Sequence, residues 1–169
     1  IAGRVERFVR DVVIPYETDP RATSHGPTDA LVAELRTLAR EAGLMTPHIG
    51  PDGSHLSQRA TALVLQASGL SPLGPVALNL MAPDEGNMYL LGQVADAAQK
   101  RRFLDPLISG KARSAFFMTE PAEDGGAGAD PSMLKTVAVQ DGDRWIINGR
   151  KAFITGAVGA AVGIIMART

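Results

Sequence analysis

Apolar positions recur at helical spacing through the first 110 residues and then give way to short strand-like runs. Val5, Phe8, Val9, Val12 and Val13 fall on one helical face, and Pro15 ends that helix there or shortly after, since proline has no N–H to donate. Residues 20–27 have the composition of a loop. Thr28 is a good N-cap for a second helix with Leu31, Leu35, Leu38 and Ala42 on its apolar face, and Gly43 is a natural stop. Residues 46–55 read as another loop. The apolar tract 56–81, broken at Gly69 and between Pro72 and Pro75, is rich in Ala and Leu and predicts two buried helices. Residues 83–87 punctuate it, with a short helix through Leu90 and Leu91 to follow. Asp96 with Gln99 three residues on predicts a capped helix, striped by Phe103, Leu104, Leu107 and Ile108 and closed by Gly110.

Beyond Lys111 the period shortens. Residues 114–118 form one apolar run. Residues 136–139 lead into Asp141-Gly142, and residues 145–147 into Asn148-Gly149, both tight-turn pairs. The second turn is expected to return residues 151–155 as a strand, with Phe153 and Thr155 on one face and Ile154 on the other. A final strand is expected over 162–167. The pattern predicts a multi-domain α and β chain: an all-α helical bundle over residues 1–112, then the start of an antiparallel β-barrel or sandwich over 113–169.

Composition narrows the function classes. Hydrophobic residues at 45% and charged residues at 21% describe a soluble globular protein, and a net charge of −1 offers no general attraction to nucleic acid or anionic membrane. With no cysteine, disulfides, thiolate metal sites and a Cys nucleophile are excluded. His25, His48 and His55 lie in turn-rich or polar surroundings without metal-ligand spacing, so surface roles are expected for them and no metal site. The most membrane-like stretch, 154–167, falls short of the ~20 residues of a spanning helix and is interrupted by Gly156, Gly159 and Gly163. It reads as a buried turn and strand. A start at Ile1 without a signal-like segment and an end directly after an apolar run suggest a piece of a longer, cytoplasmic polypeptide, with a mitochondrial or peroxisomal matrix location also open.

The chemistry-bearing candidates are two strand ends. In Phe116-Phe117-Met118-Thr119-Glu120-Pro121, Pro121 stops the strand, so its last amides and the Thr119 hydroxyl are expected to face outward. In residues 148–156, Phe153 offers a plane and Thr155 a hydroxyl two positions on. Donors beside an aromatic plane suit a flat ring with acceptors along its edge, such as a flavin. A plain sheet edge and a core aromatic are the competing readings of the same strings.

Taken in order, Phe-Phe-Met-Thr-Glu-Pro, the Gly/Asp loop, Asp-Gly-Asp-x-Trp and Ile-Asn-Gly-x-Lys-x-Phe-Ile-Thr-Gly-Ala resemble the signature of the acyl-CoA dehydrogenases. Residues 99–110 resemble the helix that enters that family's middle domain. Ala-Pro-Asp-Glu-Gly-Asn-Met at 82–88 resembles a branch associated with long or unusual acyl chains. The resemblance implies FAD as cofactor, with Phe116, Met118 and Thr119 at the flavin pyrimidine edge. It places Phe153, Ile154 and Thr155 on the flavin face away from substrate, the hydroxyl near N5, and Phe153 stands where the family often has Trp. The loop 122–130 is longer than the family's usual Thr-Glu-Pro-Gly-Ala-Gly-Ser-Asp. Gly126 and Gly128 can still offer backbone N–H groups to phosphate, whereas Ala129, at a cofactor- and thioester-contacting position, lacks the usual Ser hydroxyl. Met81 is expected along the acyl tail.

The implied reaction is α,β-dehydrogenation of an acyl-CoA to the trans-2-enoyl-CoA, with electrons passed to an electron-transfer flavoprotein or similar acceptor, in a homodimer or homotetramer. No catalytic residue is expected in this chain. The family's base is a Glu of a later helical domain absent here, so Glu120 is read as structural and residues 1–169 alone as inactive. An acyl-CoA oxidase or flavin monooxygenase of the same architecture, and a non-catalytic helical binding module, are the alternatives.

Overall fold

The computed structural model describes residues 1–50, 53–125 and 128–169, which form two compact units, Ile1–Lys111 and Ala112–Thr169. In the first, α1 (Ala2–Phe8) continues through a π-helical turn (Val9–Val13) into a 3₁₀ turn (Ile14–Thr18). A two-stranded ribbon, β1 (Ala22–Thr23) with β2 (Gly26–Pro27), occupies the stretch read as plain loop. Helix α2 (Asp29–Glu41) starts at Thr28, whose hydroxyl accepts the Leu31 N–H, and Leu31, Leu35 and Ala39 form its buried stripe. Ala42, expected on that stripe, is instead the exposed C-cap residue. Helices α3 (Gln58–Ser68) and α4 (Gly74–Ala77) take up the apolar tract, and α5 (Asp84–Val94) begins inside the residues read as punctuation.

The last helical stretch carries a complete capping box of Asp96 and Gln99 and runs as α6 (Ala97–Gln99), a π-helical turn (Lys100–Leu104) and α7 (Asp105–Ile108). Both π turns end just ahead of a proline, Pro15 or Pro106. A proline within a helix leaves the usual i−4 carbonyl without a donor and pushes its ring toward it, so widening the preceding turn relieves the crowding. The core joins Val5, Phe8, Val9 and Val13 of the first helix to Leu31 and Leu35 of α2, Val64 and Ala67 of α3, and Ala77, Leu78 and Leu80. His48, expected at the surface, is completely buried, and His55 is half-buried. Among the described residues no helix is long and apolar enough to cross a membrane.

The second unit holds two separate ribbons. Strand β3 (Ser114–Phe117) pairs in parallel with β6 (Val162–Ile165), Ser114 opposite Val162, while β4 (Val137–Asp141) and β5 (Arg144–Asn148) form an antiparallel hairpin around Gly142-Asp143. The expected antiparallel start of a β domain is thus part antiparallel and part parallel, with no closed barrel among the described residues. Parallel pairing brings Phe117 over Gly163, where an added Cβ would stand 2.7 Å from the ring. The chain then crosses to the other ribbon: Met166 N–H donates to Phe117 O, and residue 168 exchanges backbone bonds with Thr136 and Ala138. Residues 162–165 alternate half-buried and exposed rather than forming a buried strand.

Candidate functional site

Glu120 organises the end of β3. Its buried carboxylate accepts the Thr136 hydroxyl at 2.6 Å, the Thr136 and Lys135 N–H groups at 2.9 and 2.8 Å, and the Lys151 ammonium at 3.0 Å. Thr136's hydroxyl above all, then the two backbone donors and Lys151, hold this carboxyl far below the usual glutamate range, while burial opposes them. A carboxylate so saturated with donors is a poor proton acceptor, and its geometry is that of a fastening. Lys151, only 9% exposed, also donates to Met118 O at 3.0 Å. Gly149 makes room for this cluster, because a Cβ there would lie 2.3 Å from the Thr136 Oγ1. Neither Thr136 nor Lys151 is among the candidate residues of the sequence, where Asn148-Gly149 signals a tight turn and nothing of this cluster.

The same fastening joins the two predicted strand ends. Ala152 N–H donates to Thr119 O at 3.0 Å, and the Thr119 hydroxyl donates to Ala152 O. Thr119 is therefore not an outward-facing donor here; its oxygen keeps acceptor capacity only. Phe116 and Met118 are half-buried beside it. Residues 151–155 do not form the expected strand. Their backbone leaves the ladder after Asn148, and Phe153 adopts φ +58°. Alternation consequently fails as a guide to their faces. Phe153 is 94% exposed, Thr155 exposed and Ile154 half-buried.

The loop after Glu120 is closed by a bond from Glu120 N–H to Gly128 O at 3.1 Å. Gly128 has φ +56°, Ala129 is exposed, and Gly126 lies outside the described residues. The structure thus brings Met118, Thr119 and residues 151–153 together, with Gly128 tied to the same strand end. The exposed Phe153 ring leaves a face on which a planar ring such as a flavin could stack, beside a strand end whose Thr119 oxygen keeps acceptor capacity. In the first unit, Met81 is 38% exposed. An open, mainly apolar groove of about 810 Å³ there is lined by Met45, Pro47, Ile49, Leu56 and Ile108, and Met81 is not on it.

Two family models match the chain in succession: the acyl-CoA dehydrogenase N-terminal domain over residues 1–111 and the middle domain over residues 115–169. The chain is 35% identical, over 98% of its length, to the Mycobacterium tuberculosis protein named "Probable acyl-CoA dehydrogenase FadE2", of which it spans 42%. It is similar to a glutaryl-CoA dehydrogenase from Mycobacterium smegmatis (26% identity, TM-score 0.71, 99% of this chain and 41% of that one). It is equally similar to a structure described as the FAD complex of PigA (26% identity, TM-score 0.72, 99% and 42%).

Proposed function

Because the chain belongs to the acyl-CoA dehydrogenase family and spans 42% of the length of its Mycobacterium tuberculosis relative, we propose that the whole protein is an FAD-dependent acyl-CoA dehydrogenase. We assign residues 1–112 to the helical domain and 113–169 to part of the middle β domain. The observation that carries the reading is the pair of Thr119–Ala152 bonds, which set the two cofactor-contacting segments of the resemblance side by side.

Phe116, Met118 and Thr119 would line the pyrimidine edge of FAD, Phe153 would cover one face, and Thr155 would bond near N5. Gly128 and Ala129 would approach the pyrophosphate and thioester. FAD when bound supplies the two-electron acceptor for the β-hydride. Glu120 holds Thr136 and Lys151 in place and stays ionised, so its part is positional; the α-proton would go to a base outside residues 1–169. The acyl-CoA tail would pass Met81, and an electron-transfer flavoprotein would collect the electrons from a homo-oligomer.

The test uses the whole protein. It should purify yellow, bleach anaerobically with an acyl-CoA from a chain-length panel, and reoxidise slowly in air. Fast reoxidation would point to an oxidase, and a colourless protein to a binding module. Thr155→Val should shift the flavin spectrum or slow reduction; an unchanged spectrum and rate would remove Thr155 from the site.

A further inference from the structure

In the first unit, residues 48 and 55 face one another across a narrow loop. Leu56 N–H donates to His48 O at 2.9 Å, and Ile49 pairs with His55. The two imidazoles meet edge to face, centroids 5.1 Å apart, and His55 sits in the same way against Tyr89 of α5 at 4.8 Å. Glu85, one turn earlier on α5, brings a carboxylate to the same point, and a nitrogen of each histidine and an oxygen of Glu85 all lie within 4.8 Å of one another.

The hydrogen bonding of these rings is incomplete in a directed way. His55 Nδ1 is 2.8 Å from the Leu56 carbonyl, which can only accept, so Nδ1 is the donor there and the neutral ring carries its lone pair on Nε2. That Nε2 is buried with no hydrogen-bond partner; the nearest Glu85 oxygen is 3.8 Å away, too far to accept a bond. His48 is 0% exposed, and neither of its ring nitrogens has a partner. Leaving three buried imidazole nitrogens unsatisfied is costly, and such groups in folded proteins nearly always have a partner, protein or otherwise. An imidazole whose far nitrogen is fixed by a backbone carbonyl is the usual arrangement of a metal-ligating histidine.

We propose that His48, His55 and Glu85 form a binding site for a divalent transition-metal cation, with zinc as the cation that two imidazoles and one carboxylate suit best. Tetrahedral zinc with bonds of about 2.0–2.1 Å wants ligand atoms about 3.3 Å apart, so the three need to draw in by an ångström or so. Rotation about the side-chain torsions of the part-exposed Glu85 and of His55 supplies that. Three protein ligands leave a fourth position for water or another small ligand. The cation ties the 48–56 loop to α5, a role separate from flavin chemistry.

The experiment takes the whole protein, prepared without a histidine tag, stripped with a chelator and titrated with zinc chloride by calorimetry, with X-ray absorption at the zinc edge. One zinc per chain, coordinated by two imidazoles and a carboxylate, is expected, with affinity reduced about tenfold or more in Glu85→Gln and in His55→Ala. His48→Phe should abolish binding, and if it fails to fold, Glu85→Gln decides, since that side chain is 23% exposed. No zinc retained by the native protein, or equal affinity in native protein and Glu85→Gln, overturns the proposal.

Discussion

Asn79 is the position at which substitution should say most about how the first unit is held. It is 1% exposed, adopts φ +58°, and stands between α4 and Met81. Its amide nitrogen donates to Thr46 Oγ1 at 3.1 Å and Leu107 O at 2.8 Å, and its oxygen accepts from Arg36 at 3.1 Å, so one side chain joins α2, the loop after it and α7. Asn79→Gly removes all three bonds without straining the backbone; at about 0.5–1.5 kcal/mol each, the loss is roughly 1.5–4.5 kcal/mol. Asn79→Ala loses the same bonds and, like the native residue, keeps a Cβ in the left-handed region, which costs it about 1–2 kcal/mol relative to glycine. That cost is offset by the roughly 0.4–1 kcal/mol that glycine loses through its freer unfolded chain. Alanine should therefore equal glycine or be slightly worse. Hydrogen exchange of the whole protein, read by mass spectrometry on peptides covering 74–81 and 104–111, measures the opening free energy directly. Loss below about 0.5 kcal/mol in both variants would refute the account of the three bonds. Alanine better than glycine by about 1 kcal/mol would refute the imposed left-handed backbone.

Gly149→Ala should destabilise the second unit by about 1–3 kcal/mol through overpacking against Thr136, with faster exchange at residues 119 and 152; native-like melting would show that the contact yields freely. Met81→Trp should move the acyl-CoA preference towards shorter chains, and an unmoved chain-length profile places the tail elsewhere. Glu120 is a depressed carboxyl, so its stabilisation is complete above the ordinary glutamate value of about 4.3 and lost as pH falls below it towards the lowered folded value. Acid titration of Glu120→Gln should show a shallower loss of stability below that pH than the native protein, and parallel curves would refute the linkage.

Local signals in the sequence carried much of the fold. The Thr28 cap, the Asp96–Gln99 box and the turn signalled by Asp141-Gly142 each depend on residues within three or four positions, and the structure has them, the hairpin turning one residue later at Gly142-Asp143. What the sequence hid is long-range. Alternation at 151–155 suggested a strand, but β3 takes its partner from residues 162–165, and Phe153 turns left-handed once Thr119 and Lys151 have fixed the chain around it. Polar, turn-rich surroundings placed His48 at the surface, because nothing nearby reveals His55 folding back on it or Glu85 arriving from a helix nearly forty residues on. The strand-end residues were legible as candidates through their order along the chain; the Glu120 cluster beneath them was not.

The second unit owes its cohesion to polar groups to an unusual degree. Its fully buried hydrophobic residues among those described are Ala115 and Leu134, beside buried Ser114, Glu120 and Thr136, while Val139, Trp145, Ile146 and Ile147 of the hairpin stay exposed. Heat capacity of unfolding grows with the apolar area uncovered and shrinks with the polar. Packing within residues 112–169 should thus contribute little heat-capacity change, and that internal packing should give a shallow dependence on temperature and a weak response to urea. Cooling, which weakens an apolar core, should trouble this unit less than a fall in pH below the ordinary glutamate value, where the Glu120 cluster begins to lose its charge.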